Sequence, residues 1–470
     1  MAKLLFLQNL EYEFLGPAYL SAMLKKHGHQ VKMSFGYSLK EFNPTISKFK
    51  PDLVAFSIMS GSYKWSLEMA ASVKKAFGIK NIFGGPHPTH FPNFINEENV
   101  DIIARGEGEW ASLELMNCID AKIDYSQVKN LWVKKDGIIY RNELRCLDND
   151  LDIYPFADRD LYADFRGKAD LDIRQLITSR GCPWHCSFCF NDSLRELYKD
   201  KGRYVRIRAV DTVVEEARRL KSDYRARIIY FADDVFGLDR KWLLDFLPKY
   251  KKNVGLPFIC LIRADILAKN EDYAMLLAKH GCIMLSFGIE SGNENTRNRV
   301  LEKNVKDSDI YKAAKLLHQA GIKFRTFNIL GLPGETLQDA LKTVQVNIDI
   351  KTDFPWCSIF MPFSGTRLTE YAKENNYLSS SDSQKSFFSG STLINHPEIK
   401  RLENLQSFFQ TAVIFPKSLK AIKLLIKLPP NLLFKLWFGF VYFFVYIKAE
   451  RRGFWKTLIF SLKNYRSLLD

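Results

Sequence analysis

At 470 residues, 47% hydrophobic and 26% charged, the chain is too long for one ordinary core and too apolar for a disordered one, so about three domains are expected. Its eight cysteines are scattered except for Cys182, Cys186 and Cys189, which excludes a disulfide framework and suits a reducing compartment. Of the net charge of +15, residues 401–470 supply twelve Lys or Arg against three acids, +9 in all, so the excess is a local aromatic tail and not a diffuse nucleic-acid surface.

In chain order, the apolar start Met1–Gln8 is too short for a signal peptide, and Leu4–Leu7 within it reads as a strand. Gly16–Lys26 has helical spacing, Gln30–Met33 is a second strand, Leu53–Ser57 a third and Ile82–Phe83 the centre of a fourth. Ser66–Phe77 and Ala111–Cys118 are helices. This alternation predicts an α/β fold, a doubly wound, Rossmann-like parallel sheet over residues 1–125. Ligands of such sheets bind beyond the carboxyl ends of the strands, where Ser57-Ile58-Met59-Ser60-Gly61 and Gly84-Gly85-Pro86-His87 lie. His87 and His90 read as ordinary surface residues. Residues 126–170 form a connector with a hairpin, Asn130–Lys134 and Ile138–Asn142 around Lys135-Asp136-Gly137.

Over residues 171–375 six strands recur: Leu176–Thr178, Ile228–Phe231, Phe258–Ile262, Met284–Gly288, Phe324–Leu330 and Trp356–Phe360. Helices fit between them at Val213–Leu220, Trp242–Tyr250, Tyr273–His280, Ile310–Ala320 and Leu337–Ile350. Six strand–helix units predict a partial (β/α)6 barrel with its site at the carboxyl ends of the strands. Residues 376–470 read as a Ser-rich linker and then a basic, aromatic helical tail broken at Pro416 and Pro429-Pro430.

The most informative segment is Gly181-Cys182-Pro183-Trp184-His185-Cys186-Ser187-Phe188-Cys189, directly after the first barrel strand. Thiolates at i, i+4 and i+7 in a loop can bind three irons of a cubane cluster and leave the fourth open to a small molecule. The same spacing is also the apolar stripe of a helix, but Gly181 and Pro183 do not favour one. A zinc site would need a fourth ligand from His185 or a distant cysteine.

Cys-x-x-x-Cys-x-aromatic-Cys, filled by Cys182, Cys186, Phe188 and Cys189, resembles the signature of the radical S-adenosylmethionine enzymes. The resemblance extends to Phe231-Ala232-Asp233-Asp234-Val235-Phe236, Arg263-Ala264-Asp265, Gly288-Ile289-Glu290-Ser291-Gly292 and Gly331-Leu332-Pro333-Gly334-Glu335-Thr336. It continues through Pro362-Phe363-Ser364-Gly365-Thr366 and covers most of residues 1–375, similar to the subgroup with an N-terminal cobalamin-binding domain. The resemblance implies a [4Fe–4S] cluster on the three cysteines and S-adenosylmethionine on the open iron. Reductive cleavage would then give a 5′-deoxyadenosyl radical, with ferredoxin or flavodoxin as electron donor.

Arg263 suits the methionyl carboxylate, Asp233 and Asp234 the methionyl amine, Glu290 the ribose hydroxyls and Phe188 the adenine. The structural alternatives are an Arg263–Asp265 ion pair and a helix cap at Asp233 or Asp234. Ser57, Gly84 and Gly85 match positions that line the nucleotide tail of cobalamin in such domains. The family's Asp-x-His-x-x-Gly is replaced here by Glu11-Tyr12-Glu13-Phe14-Leu15-Gly16, so cobalamin is expected without a histidine lower ligand, the alternative being a domain that no longer binds it. Cys118, Cys146, Cys260, Cys282 and Cys357 read as isolated core residues.

These features give, as the leading expectation, cobalamin-dependent methylation of an unactivated carbon in a small or lipid-like substrate. An oxidative cyclase acting on a tetrapyrrole ester and a non-catalytic cluster-binding sensor or assembly protein are the alternatives. The chain is expected in the cytoplasm. Leu436–Ile447, twelve uncharged residues between Lys435 and Lys448, is too short to cross a bilayer. With Arg451, Arg452 and Lys456 it reads either as an interfacial helix on the inner face of the membrane or as a cap packed on the barrel.

Overall fold

The structure, a computed structural model, describes residues 1–59, 63–165, 172–363, 365–378, 391, 393–449 and 453–463. Ser60, Gly61, Ser364, most of the Ser-rich linker, Arg451 and Arg452 therefore lie outside the described residues, as does the side chain of Lys456. The chain divides into two units, one of Met1–Ala169, Leu194–Arg206 and Phe460–Asp470, the other of Asp170–Ser193 and Ile207–Ile459.

The first unit is built on strands β1 (Lys3–Gln8), β2 (Gln30–Phe35), β3 (Leu53–Ser57), β4 (Lys80–Gly84), β5 (Ile102–Ala104), β6 (Leu131–Lys135) and β7 (Ile138–Arg141). They form one sheet in the order β2-β1-β3-β4-β5-β6-β7. The first five run parallel, and β6 and β7 add antiparallel. Helices α1 (Leu15–Lys26), α2 (Leu39–Phe49), α3 (Tyr63–Phe77), α4 (Pro86–His90) and α5 (Glu109–Ala121) connect or flank the parallel strands. The near-continuous apolar run of β1, buried from Leu4 to Leu7, is what a parallel strand covered on both faces requires. Core residues Leu5, Phe42, Val54, Phe56, Phe83 and Ile103 lie on one side of the sheet with α2 and α3.

The predicted hairpin is present, with Asp136 at φ 51° and Gly137 at φ 77°, the left-handed pair of a tight two-residue turn. Its strands extend this sheet and do not stand apart from it. The segment Leu194–Arg206 returns to the same unit. The Glu107 N–H donates to the Tyr198 hydroxyl at 2.7 Å, Arg206 pairs with Glu107, and Leu144, Leu147 and Tyr198 share a small core.

In the second unit, β8 (Ile173–Leu176) is followed by β9 (Ser179–Arg180); α6 (Phe190–Leu197) begins in this unit and ends in the first, and β10 (Arg206–Ile207) begins in the first and ends in this one. Strands β11 (Ile228–Phe231), β12 (Phe258–Leu261), β13 (Cys282–Glu290), β14 (Lys323–Leu330) and β15 (Phe354–Ile359) then complete a six-stranded parallel sheet, β15-β14-β13-β12-β11-β8. The predicted first strand, Leu176–Thr178, lies a few residues earlier as β8. Helices α7 (Val210–Ser222), α8 (Arg240–Asn253), α9 (Ala264–Lys269), α10 (Tyr273–Lys279), α11 (Asp307–Gln319) and α12 (Leu337–Asp349) fall between the strands. The start of α8 is fixed by Asp239, which accepts from the N–H groups of Lys241 and Trp242. Stacked and edge-on rings of Phe231, Phe236, Phe246, Tyr250 and Phe258 fill the space between α8 and the sheet.

After α13 (Arg367–Glu374) come α14 (Ile399–Ile414), α15 (Leu419–Leu425), α16 (Leu432–Ala449) and α17 (Phe454–Lys463). α14 packs on α12 and β15 through Leu402, Leu405, Phe409 and Ala412. One stripe of α16 also packs inward. Phe434 lies 4.8 Å from Phe408, Tyr442 lies 5.0 Å from Trp356, and Val445 and Ala449 meet Ile228, Ile259, Met284 and Phe354 at the amino ends of the strands. The helix runs eighteen residues, not the twelve of the uncharged stretch, because Lys435 and Lys448 sit inside its ends. By length and composition it could cross a membrane.

Candidate active site

The cysteine loop leaves β9 at Gly181, whose φ of 86° is a left-handed turn that glycine adopts without strain. It closes on itself through the Cys189 N–H, which donates to the Cys186 carbonyl at 3.1 Å. Ser187 anchors it from within. Its N–H donates to the Leu301 carbonyl, its hydroxyl to the Val300 carbonyl at 2.6 Å, and its own carbonyl accepts from the Leu368 N–H. At the outer side Asp192 accepts from Arg367 Nε at 2.8 Å and lies 3.0 Å from His185 Nδ1, while Arg367 also binds the His185 carbonyl and Glu302. Nothing in the sequence pattern marks Ser187 or Arg367, because their partners are far along the chain.

Burial raises the Cys182 thiol and pushes the Cys189 thiol up to about 12, and the neighbouring cysteines push both the same way. Buried thiols that approach one another in this way become thiolates when a metal supplies the positive charge. Among the described residues no three His, Cys, Asp or Glu side chains converge as on a single ion. A cubane spreads its thiolates over different irons and so holds them further apart than one zinc does. The donor set, three cysteines of one braced loop, fits a [4Fe–4S] cluster.

Arg263 follows β12 and lies buried against this loop. Its Nε donates to Asp265 Oδ1 at 2.9 Å, Nη2 donates to the Lys303 carbonyl at 2.7 Å, Nη1 lies 3.8 Å from Cys186 Sγ, and the guanidinium covers the Trp184 ring at 4.4 Å. The local Arg263–Asp265 pair is thus real and coexists with contact to the cysteine loop. Lys303 is a residue the sequence reading missed. Its ammonium pairs with Glu290 Oε1 at 2.7 Å and stands 5.9 Å from the Phe188 ring. Glu290 is brought there by an irregularity in β13, where the register with β14 shifts between Gly288 and Glu290 and Glu290 takes φ 64°. Such a bulge re-aims a side chain at a strand end. Cys186, Phe188, Arg263, Glu290 and Lys303 are therefore linked in one cluster.

The two aspartates after β11 have different surroundings. Asp233 Oδ1 accepts from the N–H and hydroxyl of both Thr178 and Ser179, and burial pushes its carboxyl up to about 6 against those bonds. It ties β11 to the end of β8. Asp234 is half-buried, close enough to Cys182 and Cys189 to raise both, and bonded to Asn191.

In the first unit, Ser57 and Gly84 are register partners at the ends of β3 and β4. Ser57 is exposed, and a Cβ on Gly84 would meet only Ala104 Cβ, at 3.8 Å. That leaves a strand-end cradle open to a ligand and fits a cobalamin tail. Gly85 differs. At φ 97° a Cβ there would stand 2.9 Å from the Ile58 carbonyl oxygen, so glycine is needed for the backbone itself. Glu13, at the position where the family's pattern has histidine, is buried and paired with the fully buried Arg159.

Three sequence expectations are corrected. His87 is not a surface residue: it is buried, stacked 4.8 Å from both Tyr63 and Phe91, and burial pushes its imidazole down to about 4. Cys146 is exposed, not part of a core. Cys260 and Cys282 are not isolated, since neighbouring strands bring their sulfurs to 3.9 Å.

Residues 176–346 match the family model of the radical SAM superfamily, and residues 9–116 match that of the B12 binding domain. An uncharacterized methyltransferase of Pyrococcus horikoshii is 30% identical over 77% of this chain and 79% of its own. The anaerobic magnesium-protoporphyrin IX monomethyl ester cyclase of Rubrivivax gelatinosus is 25% identical over 74% of this chain and 64% of its own. Among solved structures, the cobalamin-dependent S-adenosylmethionine radical enzyme OxsB has the same fold, with a TM-score of 0.69 at 16% identity over 99% of this chain and 75% of that one. The chain belongs to the radical SAM enzymes that carry an N-terminal B12-binding domain. Its cofactors are those of that family, a [4Fe–4S] cluster, S-adenosylmethionine and cobalamin.

Proposed function

We propose that the chain is a cobalamin-dependent radical S-adenosylmethionine methyltransferase that methylates an unactivated carbon of a small or lipid-like substrate. The observation that carries this reading is its 30% identity, over 77% of the chain, to a protein named as a methyltransferase. When bound, the cluster and S-adenosylmethionine supply a 5′-deoxyadenosyl radical and cobalamin carries the methyl group. The chain itself binds, orients and excludes water. Cys182, Cys186 and Cys189 hold three irons. Arg263 uses three of its five N–H groups within the protein and offers the other two to the methionyl carboxylate. Asp234 accepts from the methionyl ammonium, and Asp233 positions it. Glu290 accepts from the ribose, Phe188 lies along the adenine, and Ser57, Gly84 and Gly85 line the tail of cobalamin. The electron donor is a ferredoxin or flavodoxin of the cytoplasm.

Methyl transfer consumes one S-adenosylmethionine as methyl source and another as radical source. Anaerobic protein supplied with cobalamin, reductant and candidate substrates should therefore yield S-adenosylhomocysteine together with 5′-deoxyadenosine. 5′-Deoxyadenosine without S-adenosylhomocysteine, from protein that retains no corrinoid, would overturn methyl transfer in favour of an oxidative reaction.

A further inference from the structure

We infer that α16 docks the protein on a membrane surface rich in anionic phospholipid, lying in the interface while its other face stays on the barrel. The helix has two apolar stripes. Phe434, Phe438, Tyr442, Val445 and Ala449 recur at helical spacing on the inward side, where the contacts to Phe408, Trp356 and the strand ends occur. Leu433, Leu436, Phe440 and Phe444 recur on the outward side and are exposed, Leu433 by 74% and Leu436 by 60%, while Trp437 at the edge of that stripe donates its indole N–H to Thr411 of α14 at 2.9 Å. Trp455 of α17 is 72% exposed. An amphipathic surface helix has one apolar face. A second one, left open, is a docking surface.

Charge selects the occupant. Residues 404–449 contain six lysines, Lys417, Lys420, Lys423, Lys427, Lys435 and Lys448, and no acid, and all six are exposed. A second copy of this chain would bring the same positive charge to the same face. An anionic headgroup layer neutralises it and takes the aromatic stripe into the acyl boundary. The helix does not span, because its inward stripe is held along its length to α14 and β15, whose polar surroundings cannot enter hydrocarbon.

The test is sedimentation of the full chain with vesicles of phosphatidylcholine, with and without phosphatidylglycerol. Binding is expected to the mixed vesicles and to fall as salt screens the charge. Leu433→Glu with Phe440→Glu, both exposed, should abolish binding with unchanged melting. Lys420→Gln, Lys423→Gln and Lys427→Gln together should weaken it on the order of 100-fold, at about fivefold per lysine. Three results would overturn the proposal: no sedimentation with mixed vesicles at low salt, resistance to alkaline carbonate extraction as for a spanning helix, or a dimer that the Glu variants dissociate without any vesicle binding.

Discussion

Lys303 and Glu290 form a buried ion pair, Nζ to Oε1 at 2.7 Å, and the Lys303 backbone carbonyl accepts from Arg263. One residue thus fixes two of the polar groups that face the cysteine loop. Lys303→Met would leave the Glu290 carboxylate buried without its partner, at a cost of about 3–5 kcal/mol. Adding Glu290→Gln should recover much of that loss. Chemical denaturation of the two single variants and the double variant measures the coupling, and strictly additive losses would show that the pair does not act as a unit.

Arg263→Ala should raise the KM for S-adenosylmethionine by roughly 10–100-fold, the usual worth of a charge-assisted hydrogen bond. The iron content should stay at about four per chain. Arg263→Lys keeps the charge but not the fork and should recover little. Iron analysis alongside 5′-deoxyadenosine kinetics separates loss of co-substrate from loss of the cluster. An unchanged KM would remove Arg263 from the site.

The two adjacent glycines should respond oppositely to alanine. At Gly85 the left-handed backbone and the nearby Ile58 carbonyl oxygen predict a loss of about 1–3 kcal/mol. Gly84→Ala, with only Ala104 Cβ at 3.8 Å, should fold normally, while Gly84→Leu should release cobalamin from a folded protein. Thermal melting and corrinoid absorbance read the two effects separately.

Glu335 gives a pH dependence of known sign. Its Oε2 accepts from the N–H groups of Gly331 and Leu332, and burial, with Asp339 nearby, pushes the carboxyl up from 4.5 to about 8. Between those values the folded chain keeps a proton that the unfolded chain releases. Its contribution to stability is therefore present below about 4.5 and is lost as pH rises to about 8, by up to about 1.4 kcal/mol per pH unit. Glu335→Gln should flatten that slope in denaturation curves taken across the range.

The parallel strands were legible because buried strands leave continuous apolar runs, and the cysteine loop because Gly181 and Pro183 frame its spacing. β5 has only three residues, too few for a pattern, and α2 carries an internal Pro44 that reads as a break. Lys303 was invisible for another reason: it serves the site from a loop whose path only the fold fixes. The nearness of Cys260 to Cys282 likewise depends on strand register. The length of α16 was underestimated because uncharged residues were counted, whereas lysines at helix ends are readily solvated.

The return of Leu194–Arg206 to the first unit means that the two domains are not separable cassettes. A chain cut after residue 169 would lack Tyr198 and Arg206, taking from Glu107 the hydroxyl that its N–H donates to and the guanidinium that its carboxylate pairs with, and from Leu144 and Leu147 the ring they pack on. During synthesis, which delivers the N-terminus first, the first domain must wait for residues 170–193, all three cysteines included, before it can close. Any exchange of cobalamin-binding modules between members of this family has to carry the chain through Arg206, and so takes the cysteine loop along with it.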